Sequence, residues 1–258
     1  METGSITQYI DVAQIVLYVF WVFFFALVVY LTLESKREGF PLESSDLRGG
    51  KGREETGLLP MPAPKIFRTK YHGEFLAPHN RDVIGEPIAG QPINGFPGAP
   101  IEPTGDNPML ENIGPASYTA RSDVPDLTAT GDFKIVPMRV DDDFKVDESD
   151  VDPRGLDVKG FDNVSGGSCV DIWVDRAEHL IRYLEIKTTS GKQILLPFTL
   201  CNIMKKHIVV ESILGSQFEN VPTIKNPNTV TFLEEEKIMA YYGAGTLMAF
   251  PKRRESVV

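Results

Sequence analysis

The segment WVDRAEHLIRYLE, Trp173 to Glu185, sets acids, a histidine and fixed cations close together. A strand ending at Val174 and a second beginning near Leu180 put Asp175, Glu178 and His179 in the connecting loop, with Arg182 on the returning strand. If another protein covers such a loop, desolvation and neighbouring charge separate the carboxyl pKa values and turn these acids into proton carriers. Left open to water, the same residues form an ordinary turn with a surface ion pair worth only about 0–1 kcal/mol. The residue pattern by itself favours this second description.

No other stretch carries a recognisable chemistry. His72, His79, His179 and His207 are scattered, and none shares a local motif with a Ser or Cys nucleophile. GGKG at Gly49 to Gly52 lacks the Walker spacing, and SGGS at Ser165 to Ser168 lacks the dinucleotide fingerprint, so both read as turns. The acidic run DDDFKVDESDVDP begins at Asp141, but Val146 and Asp152 occupy the places where a calcium loop needs Gly and Glu. It reads as a solvated acidic surface. Cys169 and Cys201 have neither a CxxC nor a zinc spacing and are expected to be buried thiols, reduced in a cytoplasmic setting.

The elements that must hold the loop are strands. CVDIWV, HLIRYLEIKT, QILLPFTL and HIVVES, separated by DRAE, TSGK and NIMKK, predict short antiparallel strands closing into a small barrel or strongly bent sheet. NTVTFLEEEKIMAYY, Asn228 to Tyr242, predicts a helix capped by Thr229 or Thr231 and ended by Gly243. Between Glu34 and Pro108, recurrent Pro and Gly exclude a regular helix, yet Phe40, Ile66, Phe67, Tyr71, Phe75, Leu76 and Phe96 recur there. That combination suits an extended segment lying on a partner. Within it KIFRTKY-HG-EFLAP predicts a hairpin turning at His72-Gly73, and Leu42 to Thr56 a flexible loop.

All of this follows an apolar run from Val12 to Leu33 that contains no Asp, Glu, Lys or Arg. A helix of that length covers the roughly 30 Å hydrocarbon core of a bilayer. The first eleven residues hold Glu2 and Asp11 with no basic residue, unlike a signal peptide. Lys36 and Arg37 follow the span and assign the larger C-terminal part to the cytoplasm, leaving the N-terminal tail outside. The 258 residues carry a formal net charge of −10, and nearly all of that excess lies beyond the span. Such a balance argues against a nucleic-acid partner. The expected class is a membrane-anchored, mainly β protein: a tail over 1–11, a transmembrane helix over 12–33, an extended segment over 34–108, and a barrel domain with a C-terminal helix over 109–258.

In order, REGFPLE (Arg37 to Glu43), IGPASY (Ile113 to Tyr118), VDIWVD (Val170 to Asp175), RYLE (Arg182 to Glu185), NVPTIK (Asn220 to Lys225), LEEEKI and YYGAG (Leu233 to Gly245) appear along the chain. With this set the chain resembles the H subunit of the photosynthetic reaction centre of purple bacteria over nearly its whole length. The resemblance implies a single-pass subunit of the inner, intracytoplasmic membrane with a PRC-type β-barrel. It implies a cap on the cytoplasmic face of the L and M subunits, in contact with the light-harvesting ring, membrane lipids and any cytochrome subunit of the same complex. Bacteriochlorophyll, bacteriopheophytin, quinones and non-haem iron belong to those partners, and this chain is expected to ligate none of them. The resemblance also implies a share in proton delivery to the secondary quinone. Glu178 matches the acidic loop residue near the quinone pocket, with Asp175 and Arg182 beside it, Lys134 and Asp126 near the proton entrance, and Glu235 on the C-terminal helix. Thr128, Thr130 and Asp132 stand where some relatives carry an Asp and two His, so the family's surface metal binding and His-assisted proton entry are not implied for this chain. An alternative from another class is an architectural scaffold or adaptor with no part in proton transfer.

Overall fold

The computed structural model describes residues 11–39, 59–77, 89–96 and 98–253. The flexible loop expected at 42–56, and all but the last residue of the tail expected at 1–11, lie outside the described residues. The chain divides into two compact units, Met1–Val83 and Ile84–Val258.

In the first unit, helix α1 spans Val12–Arg37 and continues past Leu33, where the apolar run stops. Asp11 caps it, accepting from Gln14 N at 2.7 Å while Gln14 reaches back to Asp11 N. The helix is long and apolar enough to cross a membrane, and its apolar side chains are exposed along its length. Strands β1 (Lys65–Thr69) and β2 (Gly73–Ala77) form the expected hairpin, with Thr69 paired to Gly73. Gly73 turns it at a φ of +73°, and Thr69 Oγ1 donates to Gly73 O at 2.8 Å. Lys65 joins the hairpin to the helix end through Glu34, 2.7 Å away.

The second unit opens with a two-stranded pair, β3 (Gly90–Pro92) and β4 (Ile101–Pro103). Seven further strands form one sheet: β5 (Ile135–Pro137), β6 (Asp157–Lys159), β7 (Ser165–Asp175), β8 (Leu180–Thr188), β9 (Gln193–Pro197), β10 (Asn202–Ile203) and β11 (His207–Val209). Their order is β10-β11-β6-β7-β8-β9, with β5 paired to β7. The pairings are antiparallel except β11 with β6. Among the described residues no hydrogen-bonded ladder closes the sheet. Yet its end strands, β9 and β10, are consecutive in the chain, and the link from Pro197 to Asn202 spans at most about 18 Å. The sheet therefore curls back on itself.

The expected strand QILLPFTL stops at Pro197 because Phe198–Leu200 winds into a 3-10 turn, and the strand within HIVVES stops at Val209. Ile172, Trp173, Leu184, Ile186, Ile194 and Leu196 fill the barrel core, with Phe218 against them. Cys169 is buried and Cys201 partly so, and neither is in a disulfide. Burial pushes their thiols up to about 12 and about 11.

Helix α2, Phe232–Met248, begins after Thr231, whose hydroxyl accepts from Glu234 N while Glu234 accepts from Thr231 N. It does not end at Gly243, as the sequence led us to expect. Ile238, Tyr241 and Tyr242 are buried, and the inward face continues to Gly245, where a β-carbon would lie 2.5 Å from Ser212 O and from Ile213 Cγ2. The second glycine of YYGAG thus permits close packing on the barrel.

A turn at Thr188 to Ser190 is fastened by Glu219. Its carboxylate accepts from Thr188 Oγ1 at 3.0 Å, Thr189 Oγ1 at 3.1 Å, Ser190 N at 3.1 Å and Ser190 Oγ at 2.6 Å. The Ser190 hydroxyl bond leads the donors in holding this carboxyl down at about 2, against about 4.3 for an ordinary glutamate. A depressed folded pKa contributes stability above the unfolded value and loses it as pH falls through the folded one. The unfolding midpoint of Glu219→Gln should therefore trail the parent by a constant margin at neutral pH. The margin should close as pH falls from about 4 towards 2, which an acid series of denaturation curves measures.

Candidate functional site

The site is built on β5, β7 and the turn leaving β7. Asp175 ends β7 and pairs with Ile135 across the ladder. Its side chain folds over the following turn, Oδ1 accepting from Ala177 N and Glu178 N, both at 2.9 Å. His179 N donates to Asp175 O at 2.9 Å and closes the turn with a φ of +53°, while its ring meets Phe144 at 5.7 Å. This loop holds Asp175 fully buried and leaves about half the Glu178 side chain open to solvent.

Lys134, one residue before β5, brings its ammonium into the turn. Nζ lies 3.1 Å from Glu178 Oε1, 3.5 Å from Asp175 Oδ2 and 3.6 Å from Asp126 Oδ2. Asp175 Oδ2 is buried and makes no hydrogen bond, and among the described residues Lys134, 3.5 Å away, is the cation that pairs with it. The backbone of Lys134 is fixed from both sides: its N donates to Asp126 O at 2.9 Å and its O accepts from Arg176 N at 2.8 Å. Burial works against its charge, but the hydrogen bond to Glu178 and the charges of Asp175 and Asp126 outweigh it. Lys134 therefore titrates above the ordinary lysine value. The ammonium is thus a fixed charge set among three carboxylates. From Glu178 through Lys134 to Asp175, they run from the surface into the protein.

Arg182 does not join this group by an ion pair, as the loop reading implied. Its Nη2 lies 3.5 Å from Glu235 Oε1, the oxygen that accepts from Tyr183 OH at 2.7 Å. Arg182 and Tyr183 are neighbours on β8, and Glu235 sits in the first turn of α2. Burial, reinforced by the charge of Glu235, pushes the Tyr183 phenol well above the usual tyrosine range, so it stays a neutral donor. The six residues singled out from sequence therefore fall into two groups. Asp126, Lys134, Asp175 and Glu178 form one; Arg182 and Glu235, with Tyr183 added, form the other. Tyr183 had no distinguishing sequence signal, since an inward tyrosine on a strand is ordinary core.

Thr128, Thr130 and Asp132 close a turn on themselves. The two threonine hydroxyls lie 2.8 Å apart, Thr130 Oγ1 donates to Asp132 Oδ2 at 2.8 Å, and Asp132 N donates to Thr128 Oγ1 at 3.2 Å. Among the described residues, no group of three or more His, Cys, Asp and Glu converges on a common point suited to a metal ion.

Two family models match the chain. Residues 4–140 match the N-terminal region of the photosynthetic reaction centre H-chain, and residues 145–217 match the PRC-barrel domain.

Proposed function

Because this chain belongs to the photosynthetic reaction centre H-chain family, and is thus a subunit of an electron-transfer complex, we propose that it delivers protons towards the secondary quinone while capping the complex. The observation that carries this reading is Lys134 within 3.1–3.6 Å of three carboxylates, one exposed and one fully buried. A proton taken up at Glu178 needs a short chain of acceptors held in an unchanging field. Lys134 supplies the field, and Asp175 supplies the inner acceptor. The turn geometry keeps both carboxylates beside the same ammonium.

In this reading the cap sits on the L and M subunits, which hold the pigments, quinones and iron, and this chain ligates none of them. The basic pair Lys36 and Arg37 at the end of α1 supports a cytoplasmic position for that end, with the N-terminus in the periplasm. The described parts of the extended segment, among them 59–77 and 89–96, lie along the partner subunits, the β domain forms the cap, and the exposed aromatic residues of α1 face neighbouring helices and lipid. The subunit is accessory and non-catalytic, and it also steadies contact with the light-harvesting ring.

Affinity purification of the tagged chain from its native membranes tests the assembly. Near-infrared-absorbing pigment should elute with the chain in a fixed ratio, and elution as a colourless monomer would sink the assignment. The proton-delivering part is tested separately, by the kinetics of Glu178→Gln.

A further inference from the structure

Arg176 sits inside the site turn, directly after Asp175, yet its side chain touches none of the three carboxylates around Lys134. It reaches the other way. Nη1 donates to Phe133 O at 3.3 Å, and Nε donates to Asp141 Oδ2 at 2.5 Å. Phe133 immediately precedes Lys134, and Asp141 follows the 3-10 turn Met138–Val140 that leaves β5. One planar guanidinium thus fastens both ends of the segment 133–141, whose second residue is Lys134. The backbone of Arg176 makes a third attachment, to Lys134 O.

The backbone also holds the Phe133 end of the segment, through the Lys134 N to Asp126 O hydrogen bond and an isolated bridge between Leu127 and Phe133, but among the described side chains Arg176 is the one that ties it to Asp141. Phe133 is 45% exposed, so its ring is only partly packed. Before it, the 128–132 turn is satisfied by its own hydroxyl and carboxylate hydrogen bonds. Asp141, by contrast, is mostly buried at its side chain, and its second oxygen accepts from Asp143 N at 3.1 Å. Burial would raise its carboxyl, but the hydrogen bond from Arg176, that from Asp143 N and the charge of Arg176 together outweigh it and hold the carboxyl below the ordinary aspartate value. The clamp is therefore an ionised pair with defined geometry.

A lysine side chain has four rotatable bonds, so its ammonium stays among three carboxylates only while its backbone is held in register with them. We propose that Arg176 is a positioning residue, fixing Lys134 among Asp126, Asp175 and Glu178 by tying Phe133 to Asp141. It carries no proton itself. The kinetic consequence rests on the proton-delivery reading, whereas the positioning is measurable without it.

The test uses the intact pigment complex with Arg176→Met. Acylation of Lys134 by acetic anhydride, followed by peptide mass spectrometry from neutral to alkaline pH, reports how firmly the carboxylates hold the ammonium. Lys134 should react several-fold faster than in the parent. Lys192, which donates to the carbonyls of Glu219 and Val221, should react at the parental rate. The proton-coupled second electron transfer should slow several-fold, and Arg176→Met should add no slowing in a Lys134→Met background. Arg176→Lys, able to keep the Asp141 pair but not both arms, should restore part of the protection.

Unchanged acylation of Lys134 overturns the proposal, as does additive slowing in the double variant. Faster acylation with unchanged electron transfer would uphold the positioning and count against the proton-delivery reading instead. If Arg176→Met does not assemble, Asp141→Asn weakens the same clamp from its far end. It should raise Lys134 acylation in the same direction, and a parental rate there overturns the proposal.

Discussion

Glu178→Gln is expected to slow the proton-coupled second electron transfer to the secondary quinone by about a hundredfold, the low end of what one positioned proton-transfer group contributes. Primary charge separation should be unchanged. The amide keeps the shape of the side chain and can still accept from Lys134, but it cannot take up and pass on a proton. The magnitude separates this reading from the scaffold alternative. Half of the Glu178 side chain is exposed, so its pair with Lys134 contributes only about 0–1 kcal/mol to stability. A relay therefore predicts a large kinetic effect with little change in thermal midpoint, whereas a scaffold predicts altered yield or midpoint with parental kinetics.

The pH dependence of that variant has a definite sign. The bond to Glu178 helps to raise the pKa of Lys134 against the effect of burial, so in Glu178→Gln the ammonium should deprotonate at lower pH than in the parent. A cation whose folded pKa is raised stabilises fully below its unfolded value and ceases to do so as pH rises through the folded one. The slowing should thus deepen towards alkaline pH, where the variant loses its fixed charge first. Flash spectroscopy across pH measures this, and parental second-transfer rates at every pH would remove Glu178 from the path.

Local features were legible in the sequence because local physics sets them. The charge-free run before Lys36, the His72-Gly73 turn and the Thr231 to Glu234 capping box need no distant contact, and each lies where its residues place it. The turn from Asp175 to His179 was legible for the same reason. Its cation was not, because Lys134 lies 44 residues before Glu178 and only the pairing of β5 with β7 brings the two together. Resemblance, not spacing, nominated Lys134 and Asp126. Gly243 misled because a glycine near a helix end reads as a stop, while packing of Gly245 against Ser212 and Ile213 carries the helix onward. The parallel pairing of β11 with β6 was likewise out of reach, since it depends on how the whole sheet curls.

The second site that sequence reasoning passed over is structural, and it predicts the larger stability effect. Asp171 and Glu185 face each other directly across β7 and β8, both buried, an arrangement that repulsion would disfavour if no charge stood between them. Arg139 stands there, Nη1 lying 3.0 Å from Asp171 Oδ2 and 2.5 Å from Glu185 Oε2. Trp173 Nε1 donates to the same Glu185 oxygen at 2.9 Å, and the other guanidinium arm donates to Pro227 O and, at 3.3 Å, to Asn228 Oδ1. Arg139→Met would leave two opposed carboxylates without their cation. Breaking a fully buried pair costs about 3–5 kcal/mol, but over a third of the Arg139 side chain meets solvent, so about 2–4 kcal/mol is expected. For a chain of this size that lowers the thermal midpoint by roughly 5–15 °C. Trp173 reports the change directly, since the chain has only two tryptophans and the other, Trp21, lies in α1. Its emission should shift as the indole loses an ordered partner, and Arg139→Lys, whose single ammonium cannot also reach Pro227 and Asn228, should recover only part of the loss. A parental midpoint in Arg139→Met would mean that the cation contributes nothing to holding β7 and β8 together. The placement of Asp175 at the end of β7 would then have to be credited to the barrel core alone.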